Sequence, residues 1–166
     1  ISYAYNAYLT AYTKAHFPHE FFTSYLKHAI GKPDTYWEVH ELVNNAKIMG
    51  IEIMPPNILH MNEEFQLIGK HPTYGITNIK HVGSSVFKKM LRDINENNID
   101  LNECDWDCFL LRVSPLVNKK AFESLILSGS FDCFKISRSR MQHHFSTIKE
   151  FTKRATEWLR DYKVAH

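Results

Sequence analysis

Between Tyr74 and Arg92 the chain reads YGITNIKHVGSSVFKKMLR, a stretch with Lys80, Lys88, Lys89 and Arg92 and no acidic residue. The chemistry open to these residues is the holding of phosphate. Gly83 has no Cβ, so the backbone there can take a left-handed or tight conformation and an anion can come close. Ser84, Ser85 and Val86 then open a helical pattern, and the first N–H groups of a helix have no partners inside it. Those donors and the positive end of the helix dipole suit a phosphate oxygen. Lys80, Lys88 and Lys89 supply counter-charge, while His81 and Val82 shape the turn before Gly83. Contacts of this kind hold a nucleic-acid backbone without reading its bases. The same residues also suit a plain glycine-containing connection with a solvated lysine face, because short motifs of this kind recur by chance.

Other chemistry-bearing residues point less sharply. Asn118, Lys119 and Lys120 open a later helix, where helix capping competes with phosphate contact. Cys104 and Cys108 are four apart, wider than the C-x-x-C pairs of zinc knuckles, and read as half-buried residues of a short helix. Lys14 and His16 fit a helix terminus facing its own dipole. No Ser/His/Asp or Cys/His spacing forms a catalytic signature, so neither a catalytic residue nor a bound metal is expected in this segment.

These residues need elements to position them, and the hydrophobic period supplies mainly helices. Ile1 to His16 forms a helix with a Tyr/Ala stripe at Tyr3, Ala4, Ala7, Tyr8, Ala11, Tyr12 and Ala15, suited to close packing by a partner helix. Pro18 ends it. Glu20 to Ile30 forms a second helix stopped by Gly31, and Asp34 caps a third that stops at Gly50. Ile51 to Met54 alternates like a short strand, and Phe65 to Ile68 with Tyr74 to Ile76 suits a small antiparallel element. A short helix over Ile76 to Lys80, a turn at His81-Val82-Gly83 and a helix from Ser84 make a helix-hairpin-helix. Further helices follow around Trp106, from Asn118 to Ser128-Gly129, and from Ser137 or Ser139 through Phe145, Ile148, Phe151, Ala155, Trp158 and Leu159.

Charge is local rather than global. The formal net charge is only +2 at pH 7. Acidic residues gather between Glu96 and Asp107, while Lys80 to Arg92 and Lys135 to Arg154 are basic, so any anion-binding face must be local. Three cysteines make an odd number, which argues against a disulfide framework and fits a reducing compartment. No apolar run reaches the length of a membrane span. Beginning at Ile1 within a helical pattern, the chain is expected to be a piece of a longer protein.

Several blocks resemble the C-family replicative DNA polymerases, the bacterial DNA polymerase III alpha subunits. Tyr12-Thr13-Lys14-Ala15-His16-Phe17-Pro18 followed by Glu20-Phe21 is similar to the end of an Ala/Tyr-rich helix in the fingers of that family. Met49-Gly50-Ile51-Glu52-Ile53-Met54-Pro55-Pro56-Asn57 resembles its Met-Gly-Ile-x-Val-x-Pro-Pro segment. Tyr74-Gly75-Ile76 with Ile79-Lys80-His81-Val82-Gly83 resembles its hairpin, with His81 where the family usually has a second glycine. Val117-Asn118-Lys119-Lys120, Leu125-Ile126 and Ser128-Gly129-Ser130-Phe131-Asp132 resemble its following helix. The blocks keep one order over nearly the whole chain. The sequence between them is aromatic and diverged, more like a phage or outlying member.

The resemblance implies a mainly α fold: helical fingers over residues 1–72, a helix-hairpin-helix DNA-binding module over 73–134 and an amphipathic extension over 135–166, with a small β element between the first two. It implies a parent enzyme, a DNA-directed polymerase using Mg²⁺, whose metal-binding carboxylates have no counterpart here. It also implies partners: primer-template duplex, the rest of the polymerase chain and replisome subunits such as a sliding clamp, with no membrane. The setting would be the cytoplasm, at a nucleoid or in a phage-infected cell. Ser2, Tyr3 and Asn6 stand where the family's nucleotide-facing loop enters its helix. Two alternatives remain: a helical interaction module that packs through its Tyr/Ala stripe, and a stand-alone repair-type domain using the same hairpin.

Overall fold

A computed structural model describes residues 2–30 and 34–165, with side chains through Trp158. Seven α-helices, three short 3-10 helices and one small sheet make up the regular structure among these residues. The expected stop at Gly31 lies outside the described residues, as does Ile1. The chain divides into two compact units, residues 2–56 with 60–78, and 57–59 with 79–165. The first boundary by packing is thus 78/79, where the sequence pointed to 72/73. The stretch after residue 134 belongs to the second unit.

The first unit starts with α1 (Ser2–His16), α2 (Pro18–Ala29) and α3 (Thr35–Ile48). Pro18 separates α1 from α2 and serves as the first residue of α2, where its missing N–H costs nothing. Asp34 is the N-cap of α3 but makes no side-chain cap hydrogen bond. At the other end Gly50 has φ 74°. Ile51 N donates to Ala46 O at 2.9 Å and Gly50 N to Lys47 O at 3.0 Å, so the stop is a left-handed glycine closing the last carbonyls. Phe22, Leu26, Ala29, Leu42, Ala46, Ile51 and Phe65 form the core.

Residues 51–54 do not form the expected strand. Ile51 is drawn into the α2–α3 core, and only Met54 bridges to Thr73. The sheet pairs β1 (Gln66–Ile68) with β2 (His71–Thr73), antiparallel, through a turn in which Gly69 has φ 62°. Tyr74 to Ile76, expected to pair, instead turns inward. Buried Asn62 donates to Glu64 O at 3.1 Å and Tyr74 O at 3.0 Å, and accepts from Ile76 N at 2.9 Å. A Cβ on Gly75 would collide with the backbone of Glu63 and Glu64, so no larger residue fits that approach. No residue of α1 is buried, and Tyr3 is 89% exposed. The Tyr/Ala stripe that suited helix packing has no helix covering it among the described residues.

The second unit contains α4 (Ser84–Glu96), α5 (Trp106–Val113), α6 (Lys119–Ser128) and α7 (Arg138–Ala165). Its core is aromatic. Phe122 and Phe145 stack with centroids 3.8 Å apart, and Phe131 meets Trp106, Phe109 and Phe122. Gly129, at φ 86°, ends α6. Arg138 then ties that end down: it donates to Asp132 at 2.6 and 3.1 Å and to Leu127 O at 3.0 Å. Met141 and Phe145 of α7 are buried, but Phe151 is 74% exposed and Trp158 65%. The apolar stripe expected along all of α7 is therefore used only at its start.

Candidate nucleic-acid interface

Residues 79–83 form a tight turn. Val82 N donates to Ile79 O at 3.0 Å, and His81, the third residue of that turn, has φ 69°. A positive φ at this place is the demand of a type II turn, which glycine meets without strain. A histidine there costs about 1 kcal/mol in left-handed geometry. Buried Val82 anchors the turn from beneath. Two expectations are corrected here. Gly83 is extended, with φ −86° and ψ 162°, so the left-handed residue is His81. The first helix, expected over Ile76 to Lys80, is a single 3-10 turn, Ile76–Asn78, and by packing it belongs to the first unit. The missed signal was positional: counting from Ile79 puts His81, not Gly83, at the turn's third position.

Gly83 then needs another explanation than backbone freedom. It is exposed, and a Cβ built on it meets nothing within 4 Å. Its missing side chain leaves open space in front of the helix start. Gly83 is the N-cap of α4, and its carbonyl accepts from Val86 N at 3.0 Å and Phe87 N at 3.2 Å. The cap offers no side-chain acceptor, and the first turn of α4 has no acidic residue. The positive end of the helix dipole therefore faces outward without a counter-charge from its own cap.

The rest of α4 is two-faced. Phe87, Met90 and Ile94 are buried, while Ser84, Ser85, Lys88, Lys89 and Arg92 are exposed. Lys80 is exposed beside the turn. Among the described residues no carboxylate forms an ion pair with Lys80, Lys88, Lys89 or Arg92. The structure thus gathers residues 80–89 into a turn, a helix start and one basic helical face.

Two other sets of candidates fall elsewhere. Asn118 Oδ1 accepts from Ala121 N at 2.9 Å, so this side chain caps α6. Lys119 lies 3.9 Å from Glu123, and Lys120 is exposed. Ser2, Tyr3 and Asn6 sit on the exposed start of α1, in the first unit, while the hairpin residues are in the second. No group of three or more His, Cys, Asp or Glu among the described residues could hold a metal ion. These residues therefore do not fit a divalent-metal centre. No helix among them is long and apolar enough to cross a membrane.

A family model described as a helix-hairpin-helix motif matches residues 50–141. The chain belongs to the helix-hairpin-helix family. The matched region includes the turn at residues 79–83, α4, α5 and α6, so the geometry above is that of the family's region. The helix-hairpin-helix chain is also similar to DNA polymerase III alpha subunits over most of its length. It is 31% identical over 159 residues to that of Buchnera aphidicola subsp. Schizaphis graminum, covering 95% of this chain and 13% of the relative. It is 31% identical over 134 residues to that of Thermus aquaticus, covering 80% and 10%. With that of Aquifex aeolicus it shares 32% over 143 residues, covering 85% and 12%. The helix-hairpin-helix chain thus spans 10% to 13% of the length of these relatives.

Proposed function

We propose that this chain is the DNA-holding part of a C-family replicative polymerase, gripping primer-template duplex through its phosphates and reading no sequence. The observation that supports it most is the start of α4, where open space at Gly83 and an uncapped helix end meet exposed, unpaired Lys80, Lys88 and Lys89. Backbone amides and lysines position a duplex without specifying bases, which is what a replicative enzyme needs. Lys119 and Lys120 add a second phosphate contact, and Ser2, Tyr3 and Asn6 face the incoming nucleotide. The parent enzyme would transfer deoxynucleotides to a primer end in a nucleoid or infected cell, alongside a sliding clamp. The carboxylates that hold Mg²⁺ would be supplied by other parts of that enzyme.

The test is fluorescence anisotropy of the 166-residue chain with labelled primer-template DNA, titrated across salt. The wild type binds with a steep salt dependence. Lys80→Glu with Lys88→Glu lowers the slope of log K against log salt by about one to two units, close to one per lost phosphate contact. Gly83→Val is the companion variant: its backbone is allowed for valine and its Cβ collides with nothing, so binding falls while the fold stays. An unchanged slope in the double variant sinks the assigned face.

A second reading, an interaction module, is favoured by one observation: α1 carries Tyr3, Tyr5, Tyr8 and Tyr12, and none of its residues is buried. Self-association through α1, with no salt-sensitive DNA binding, would favour that reading.

A further inference from the structure

The polymerase reading makes no use of the junction between α5 and α7, where the imidazole of His144 lies between two N–H donors. Trp106 Nε1 donates to His144 Nδ1 at 3.2 Å, joining residues 38 apart in the chain. On the other side of the ring Arg140 Nε reaches Nε2 at 3.4 Å. A neutral imidazole accepts at one nitrogen and carries its proton on the other, so one of these donors goes without. The two are not equal. Trp106 is 4% exposed and walled by Phe109, Phe131 and Phe134, while Arg140 is exposed and can turn to water. A buried donor left unsatisfied costs more than an exposed one. Nδ1 therefore serves Trp106, and the proton of the neutral ring sits on Nε2. Asp107 Oδ1 stands 3.7 Å from the same Nδ1, placed to receive a proton that the neutral ring does not carry there. We propose that His144 is an acid-sensitive latch: neutral, it holds the start of α7 to α5 through Trp106; protonated, it releases Trp106 and turns its Nδ1–H to Asp107.

Protonation makes both ring nitrogens donors. Two N–H groups then face each other at Trp106, and the imidazolium also meets the Arg140 guanidinium. Asp107 is the acceptor left for it. The other charged groups nearby do not replace Asp107. Asp105 is spent on capping α5, its carboxylate accepting from Cys108 N at 2.8 Å. Asp132, beside Phe131, is held by Arg138 at 2.6 Å. From α6 the ring in contact with Trp106 is the uncharged Phe122. On α7 itself, His143 has its ring centroid 6.5 Å from that of His144 and is exposed. The swap unhooks α7 between Met141 and Phe145, both buried. It falls between about pH 8 and 5, where imidazoles change charge.

The test is an NMR titration of the 166-residue chain over that range, following the indole N–H of Trp106 and the ring nitrogens of His144. At the alkaline end Nδ1 should be bare and Nε2 protonated. On acidification the Trp106 N–H should move upfield, as a hydrogen bond is lost, in step with the His144 ring. The step should vanish in His144→Gln and persist in His143→Gln, with circular dichroism checking that both variants fold. A Trp106 signal that stays put while His144 titrates would overturn the proposal, and so would a neutral ring protonated at Nδ1. If His144→Gln unfolds, the two wild-type signals decide alone.

Discussion

The starts of α4 and α6 are built from the same physics and reach opposite ends. Each helix presents unpaired N–H groups and a positive dipole, and each is followed by a pair of lysines, Lys88-Lys89 and Lys119-Lys120. At α6 the chain satisfies its own helix: Asn118 accepts from Ala121 N, and Lys119 has Glu123 nearby. At α4 the cap is a glycine with open space beside it, and no carboxylate pairs with the lysines among the described residues. A helix start closed by its own side chain leaves its amides no room for an outside anion, so at α6 only the exposed lysines remain for phosphate. A helix start left open by a residue whose smallness the fold does not require is where an external anion fits.

That contrast can be broken or sharpened. The largest effect should come from the aromatic core in which α6 packs on α7. Phe122→Ala removes the ring stacked on Phe145 and costs about 3–5 kcal/mol. Denaturant unfolding should show this, with DNA binding lost only where the chain unfolds. Next is Gly83→Asp, which makes the start of α4 resemble that of α5 and α6. The new carboxylate caps the helix, raising thermal stability slightly, and repels phosphate, so the Kd for duplex should rise by about tenfold at low salt. If affinity were unchanged, the open cap would not be a phosphate site. Asn118→Ala should do the reverse, costing about 1 kcal/mol in chemical denaturation while leaving the Kd of the folded chain unaltered. A large loss of affinity would show that Asn118 itself holds a phosphate together with Lys119 and Lys120. Smallest is His81→Gly, which relieves the left-handed strain. The gain should be below about 1 kcal/mol, because glycine also loosens the unfolded chain, and a melting curve reads it.

Much of this molecule was legible in the sequence. The helices announced themselves by period, Gly50 and Gly129 by their stops, Asn118 by its capping place and the basic face of α4 by its spacing. The misses share one cause. Ile51 to Met54 alternates like a strand, but alternation does not say which neighbours compete for Ile51, and the α2–α3 core won. Gly83 was the obvious residue for a strained turn, yet the register of the Ile79–Val82 hydrogen bond puts the strain on His81. The stripes on α1 and late α7 have the period of packing faces, and nothing among the described residues covers them.

What the sequence by itself determined are the features settled within about one helical turn: where helices start and stop, which caps they carry and which face is charged. These depend on backbone hydrogen bonds to residues three or four away. Tertiary structure decided which apolar faces are buried, which short segments pair into β1 and β2 and which helix start stays open. Burial and sheet pairing are contests between distant residues for the same contacts, and no local pattern records who else is competing.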